Sequence, residues 1–169
     1  MGGPCYLRAE GARNKQGPSC TDNFQFKPFD FEGAVYFSCE QAYQAYKFEA
    51  GRDRDRIRAI VPFAGERDSS HGMRCWSAGQ TGQMRHDWEV KKVQVMLEVN
   101  RAKYMQHSDL LLELLSTGNV EIIGGPSTSW RLHGQTQNWS KWNGLIQMRL
   151  REEFTQPDVR REGSLEALE

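Results

Sequence analysis

Apolar residues alternate through Phe29, Phe31, Val35 and Phe37 around a Glu32-Gly33 pair, the period-two pattern of a small hairpin with one buried face. Ser38 closes that run and, with Gln41 three residues on, makes a capping-box pair, which predicts a helix over residues 39–48 that stops near Gly51. A second short helix is predicted over residues 53–61, where Pro62 ends it and an Arg/Asp alternation reads as a solvated face. Residues 63–85, rich in Gly and Ser, read as a short helix plus a loop. Beyond them Trp88, Val93, Val95, Met96, Val99 and Ala102 recur at three- and four-residue spacing, so residues 86–106 are expected to form the longest helix and the spine of the core.

Ser108 or Asp109 then caps a Leu-rich helix that Gly118 closes, and residues 120–123 are a short strand candidate. After Gly124-Gly125-Pro126 the chain reads as a Trp-rich loop, followed by a final amphipathic helix over residues 143–154. Together these elements predict an α+β domain, mostly helical, with a small antiparallel sheet. Residues 1–21 read as an irregular lead-in with one strand candidate at Tyr6 and Leu7, residues 22–156 as the domain, and residues 157–169 as a loose polar tail.

The chain has 169 residues, one ordinary domain's length, and its 22 basic and 22 acidic side chains balance. A domain of this size buries roughly two-thirds of its unfolded surface, enough to fold without disulfide or metal staples. Zero net charge removes the long-range pull on which binding to long duplex DNA depends, and favours a small molecule or a nucleotide end as ligand. Cys5, Cys20, Cys39 and Cys75 are too scattered for a zinc or redox motif, and the four histidines form no metal-like group, so no metal site is expected. The opening MGGPCYLRAE lacks the apolar stretch of a signal peptide and the Ser or Thr of a myristoylation signal, which makes cytoplasmic residence without membrane association the expectation.

Candidate chemistry lies on the capped helix. Glu40 and Lys47 are seven residues apart, which at ~100° per residue returns them to one face about 10.5 Å apart along the axis, with Gln44 between them. That separation exceeds the three- or four-residue spacing of a helical ion pair, so both side chains can lean toward something held above Gln44. Ala42, Ala45 and Tyr46 form the packing face opposite. Periodicity alone reads the Glu40, Gln44, Lys47 stripe as a solvated face, because charged stripes usually are.

The string YFSCEQAYQAYKF changes that balance, because it resembles the signature of the NADAR (YbiA-like) family: an aromatic strand end, a capping Ser or Thr, Glu, then Gln-Ala-x-Lys-Phe. Asp22-Asn23-Phe24 resembles the family's Ser-Asn-Phe element, with Pro28 and Gly33 in step before the helix. Downstream, RHDWEVKKVQVMLEVNRAKYMQHSDLLLELLSTG and WNGLIQMRLREEF resemble its middle segment and its closing helix, so the likeness runs from Asp22 to Phe154.

The resemblance implies a hydrolase acting on an N-glycosidic bond at C1 of a phosphorylated ribose, in riboflavin-pathway phosphoribosylaminopyrimidines or in ADP-ribosylated guanine, the latter also within an ADP-ribosylated nucleic acid. It implies Glu40 as the catalytic carboxyl group and Lys47 as an amine that attacks C1, with no cofactor. Such an acid can protonate the leaving nitrogen, and such an amine is nucleophilic only when uncharged. Their bland alternatives are a first-turn acid favoured by the helix dipole and a snorkelling surface lysine.

Asn23, Phe24, Tyr43, Gln44, Arg85, Trp88 and Trp130 are the implied substrate-binding residues, the indoles serving either as pocket walls or as core. The chain departs from the family at Gly79-Gln80, where relatives carry Gly-Arg, and at Trp130-Arg131-Leu132, where some carry Trp-Gly-Asp, with His133 and Asn138 the nearby polar groups. Those departures keep open a second reading, a module that binds ADP-ribose or a related nucleotide without turning it over.

Overall fold

The structure, a computed structural model, describes residues 3–156, so the expected polar tail lies outside the described residues. Its strands are β1 (Tyr6–Leu7), β2 (Lys15–Gln16), β3 (Phe29–Phe31), β4 (Ala34–Tyr36), β5 (Ile122–Ile123), β6 (Ser129–Leu132) and β7 (Gln135–Asn138). Its helices are α1 (Cys39–Tyr46), α2 (Arg52–Arg58), α3 (Asp68–Ala78), α4 (Trp88–Gln106), α5 (Ser108–Leu115) and α6 (Trp139–Thr155). The fold is α+β, as the sequence predicts. Among the described residues no helix is long and apolar enough to cross a membrane. The chain forms two compact units, one built on Asp22–His107 and the other on Pro4–Thr21 with the chain from Ser108 onward.

In the first unit β3 and β4 pair antiparallel through the Glu32-Gly33 turn, in which both residues have positive φ, 48° and 78°. This two-residue turn matches the strands' right-handed twist and fixes the register, setting Phe29 opposite Tyr36. The phase of the second strand therefore differs from the expectation. Tyr36 is 1% exposed and Val35 51%, because a residue facing the same side as Phe29 must pair with it directly.

Ser38 caps α1 by accepting the Gln41 N–H at 3.2 Å, and Gln41 Oε1 accepts the Phe37 N–H at 2.8 Å. The Gln41 amide donates to the carbonyls of Ile57, Arg58 and Ile60 at 3.1, 3.2 and 2.9 Å, satisfying the end of α2 that has no further turn to bond. All eight residues of α1 are buried, with α2, α3 and α4 packed against it. The solvated face expected from periodicity is corrected accordingly: with α2, α3 and α4 against it the helix buries Glu40 and Gln44, while Lys47 at its C-terminal end stays partly exposed. On α3 the ring of Phe24 lies against Gly72, where an added Cβ would come within 2.4 Å of the ring.

In the second unit β1 is the central strand between β2 and β5, all antiparallel. The expected Trp-rich loop is instead the β6/β7 hairpin, turning at His133 and Gly134 with φ of 48° and 81°. Asn138 caps α6 by accepting the Ser140 N–H at 2.6 Å, so the last helix starts at Trp139 rather than near Asn143. Gly144 lets α6 lie against β5, since a Cβ there would stand 2.2 Å from the Ile122 carbonyl oxygen.

Candidate active site

Helix α1 carries most of the candidate residues within the first unit. Glu40, in its first turn, is wholly inaccessible, and its backbone N–H donates to the Asn23 carbonyl at 2.8 Å. The Gln44 amide donates to Glu40 Oε1 at 2.8 Å. Burial raises the carboxyl group's pKa above its ordinary value, because charge is costly away from water; the Gln44 hydrogen bond and the Lys47 amine oppose that shift. Glu40 can therefore hold a proton that an exposed carboxylate would have lost.

Lys47 caps the other end of α1 and donates from Nζ to the Gly79 carbonyl at 2.7 Å. It is partly buried, and its pKa is lowered first by that burial and next by the like charge of Lys92, while Glu40 and Glu89 pull it back upward. The two pKa values are thus displaced toward each other, the acid's upward and the amine's downward. Such divergence from ordinary values is what acid and nucleophile roles on one surface require.

Tyr43 lies one turn before Lys47, buried, with its ring 4.9 Å from that of Trp88 at the start of α4. Its hydroxyl pKa stands well above the ordinary value through burial, reinforced by Glu40 and Glu89. Gln44 is also buried, and its Oε1 has no hydrogen-bond partner among the described residues. That oxygen sits 1.9 Å from where a Cβ on Gly79 would be. Gly79 therefore does two things here: its missing side chain makes room for Gln44, and its carbonyl holds Lys47.

Asn23 is buried; its Oδ1 accepts the Asn100 amide at 3.1 Å, and its carbonyl holds the start of α1. Phe24 packs its ring on α3. Arg85 makes a two-point contact with Asp87 at 2.5 and 2.9 Å, and its backbone N–H donates to the Lys47 carbonyl at 3.0 Å. It also lines a cleft of about 410 Å³ with Phe48, Glu49, Arg52, Met84 and His86. Beside that cleft Glu49, His86 and Asp87 bring potential ligand atoms within 4.8 Å of one another, but the guanidinium of Arg85 already faces both carboxylates.

Trp130 belongs to the second unit, on β6, with its ring 5.0 Å from that of Trp139. Of the polar groups near it, Asn138 is committed to capping α6 and His133 to the hairpin turn. In the first unit the structure thus gathers Glu40, Gln44, Tyr43, Lys47 and Trp88, with Asn23 supporting the helix start. The sequence reading missed Gly79, Lys92, Glu89 and Asn100. Gly79 alone left a signal, standing in the Gly79-Gln80 pair already set against the family's Gly-Arg; its φ of −72° suits any residue, so glycine there answers a need for space.

A comparison with protein families matches residues 12–154 to the NADAR domain. The chain is 29% identical over 136 residues to N-glycosidase Npun_R5314 of Nostoc punctiforme, covering 80% of this chain and 85% of that protein. It is 29% identical over 102 residues to N-glycosidase YbiA of Escherichia coli, spanning 60% of this chain and 59% of YbiA. A third relative, the riboflavin biosynthesis protein VVA0006 of Vibrio vulnificus, is 31% identical over 100 residues, 59% of this chain and 25% of its own. The NMR structure of E. coli YbiA superposes with a TM-score of 0.66 at 25% identity, covering 84% of this chain and 81% of that one. With a single domain match running from within the lead-in to the end of α6, this chain belongs to the NADAR domain family.

Proposed function

We propose that this chain is an N-glycosidase, a hydrolase of N-glycosyl bonds, whose substrate carries that bond at C1 of a phosphorylated ribose. The observation that carries the reading is the placement on α1 of a wholly buried Glu40 carboxyl group, whose pKa burial raises, and of a half-buried Lys47 amine held on the Gly79 carbonyl, whose pKa burial lowers. The names of the Nostoc and E. coli relatives support the reaction class, and that of the Vibrio relative, of which this chain spans 25%, is in keeping with a compound of riboflavin biosynthesis. An ADP-ribosylated guanine, free or in a nucleic acid, offers the same bond to the same groups.

In the proposed reaction the Lys47 amine donates its lone pair to C1 as the bond from C1 to the leaving nitrogen breaks. Glu40 gives its proton to that nitrogen and becomes a carboxylate. The carboxylate then takes a proton from the alkylated amine and passes it to the ring oxygen as the sugar ring opens to a protonated imine, and water adds to that imine, giving its proton to Glu40, to release the ribose phosphate and restore the lysine. One water is consumed overall. Tyr43 and Trp88 supply the aromatic surface next to this pair.

Base release from phosphoribosylaminopyrimidine and from ADP-ribosyl-guanosine, with borohydride trapping of the imine, tests the reading. Lys47→Arg should abolish both release and trapping. Tight binding of either compound without release would overturn it in favour of the binding module.

A further inference from the structure

An arginine side chain carries five N–H donors and a permanent charge, so one packed away from water is normally met by a carboxylate or by several carbonyls. Arg149 on α6 is met by neither. Its side chain is 11% exposed, yet among the described residues its one partner is the more exposed Glu152, at 4.0 Å, beyond hydrogen-bond range. Arg151, two residues on, donates from Nη1 to the Thr117 hydroxyl and the Val120 carbonyl, each at 2.8 Å. Those bonds fix the guanidinium but bring no negative charge, and burial lowers its pKa unopposed.

Both arginines line one cavity of about 350 Å³, together with Asn119, Leu145 and Met148, and Glu152 is the sole carboxylate in its wall. That lining is one positive charge in excess. Leu145 and Met148 also belong to a second cavity, of about 500 Å³, which has Ile122 and Ile123 in its wall and offers a mostly apolar surface. A basic cavity and an apolar one thus meet across a shared pair of side chains, each of the size that holds a small ligand. We propose that this face of α6 is a binding site for a nucleoside phosphate, with the phosphate on Arg149 and Arg151 and the base against Leu145, Met148 and Ile123. Phosphate oxygens supply the counter-charge and the acceptors that the two guanidinium groups lack. A flat base offers its faces to aliphatic and thioether side chains, whereas a free inorganic anion would leave the apolar cavity unused. The site owes nothing to the reading of Glu40 and Lys47, because its residues all lie in the second unit.

Isotope labelling of methionine methyl groups makes Met148 a local reporter by NMR, its sulfur held by the Ile122 N–H at 3.4 Å. Titration with adenosine 5′-monophosphate should shift that methyl resonance and leave that of Met96, buried in the first unit, in place. Adenosine and inorganic phosphate should each need about tenfold higher concentration or more, because each fills one cavity. Arg149→Met should weaken the nucleotide by about tenfold or more, the scale of a charge-assisted hydrogen bond, and Arg149→Lys should recover part of that loss. Glu152→Gln should tighten binding. Arg149 is the residue to change because Arg151 also anchors Thr117 and Val120, and its loss would disturb the fold. Lys47→Arg should leave the titration unaltered. The proposal is overturned if Met148 does not respond to the nucleotide, if Arg149→Met binds as the wild type does, or if inorganic phosphate binds as tightly as the nucleotide. Loss of the Met148 shift in Lys47→Arg would also overturn it, by placing the ligand at α1.

Discussion

Replacing Gly79 with alanine tests the geometry of the site with a single methyl group. The backbone at Gly79 is right-handed helical, so alanine is conformationally free there and even gains about 0.4–1 kcal/mol by restricting the unfolded chain. Space is the obstacle: the new Cβ would stand 1.9 Å from Gln44 Oε1 and 2.8 Å from Cδ, whereas an ordinary carbon to oxygen approach is about 3.3 Å. Gln44 must retreat by roughly 1.4 Å, enough to break its 2.8 Å hydrogen bond to Glu40. Overpacking costs about 1–3 kcal/mol, so the net loss of stability should be about 1–2 kcal/mol after the unfolded-state gain.

As Glu40 gives up its proton in the proposed reaction, the Gln44 hydrogen bond becomes one to a developing carboxylate, worth about 1.5–3 kcal/mol, so its loss should lower kcat by about ten- to a hundredfold. Denaturant melts and steady-state base release measure the two effects. The double variant Gly79→Ala with Gln44→Ala should be no less stable than Gln44→Ala alone, because the clashing side chain is gone. Full activity in Gly79→Ala, or simple additivity in the double variant, would refute this account of the glycine.

Glu40→Gln should lower kcat by about 10²–10⁴, as expected for loss of a general acid. Its stability should change with pH in a defined direction. The folded pKa of Glu40 is raised, so its contribution is fully present below the unfolded value and is lost as pH rises through the folded one. The melting temperature of Glu40→Gln relative to wild type should therefore climb from pH 4 toward pH 8, and a difference that shrank over that range would show a carboxylate favoured by its surroundings. Gly144→Ala should destabilise by at least ~2 kcal/mol in a urea melt, because its methyl would meet the Ile122 backbone, which cannot swing aside. Asn138→Ala should cost about 1 kcal/mol by removing the α6 cap, and restoration by Asn138→Asp would identify the cap as the cause.

Features written in local chemistry were legible in the sequence. The Ser38 and Gln41 cap, the Glu32-Gly33 turn, the spine helix and the glycine closing α5 each depend on residues a few positions apart. The β6/β7 hairpin was not, because only Ser129–Leu132 alternates, Gln135–Asn138 carries no apolar residue, and its His133-Gly134 turn is not a usual turn pair. The phase of β4 escaped for a related reason: Val35 and Tyr36 are both apolar, and only the turn register decides which faces inward. At the site, spacing put Glu40, Gln44 and Lys47 on one face but gave no sign of their burial. That burial comes from α2, α3 and α4, and the Gly79 carbonyl reaches Lys47 from a distant position in the chain.

The anchor of Lys47 is a peptide oxygen, and that choice outlasts a change of protonation. A carboxylate in the same place would bind the ammonium strongly and the free amine weakly, so it would resist the deprotonation that the proposed reaction requires. A main-chain oxygen accepts an N–H from either form, leaving the amine tethered at 2.7 Å when it becomes neutral, with its lone pair directed away from the tether. No side-chain substitution can delete that acceptor, and no titration can silence it.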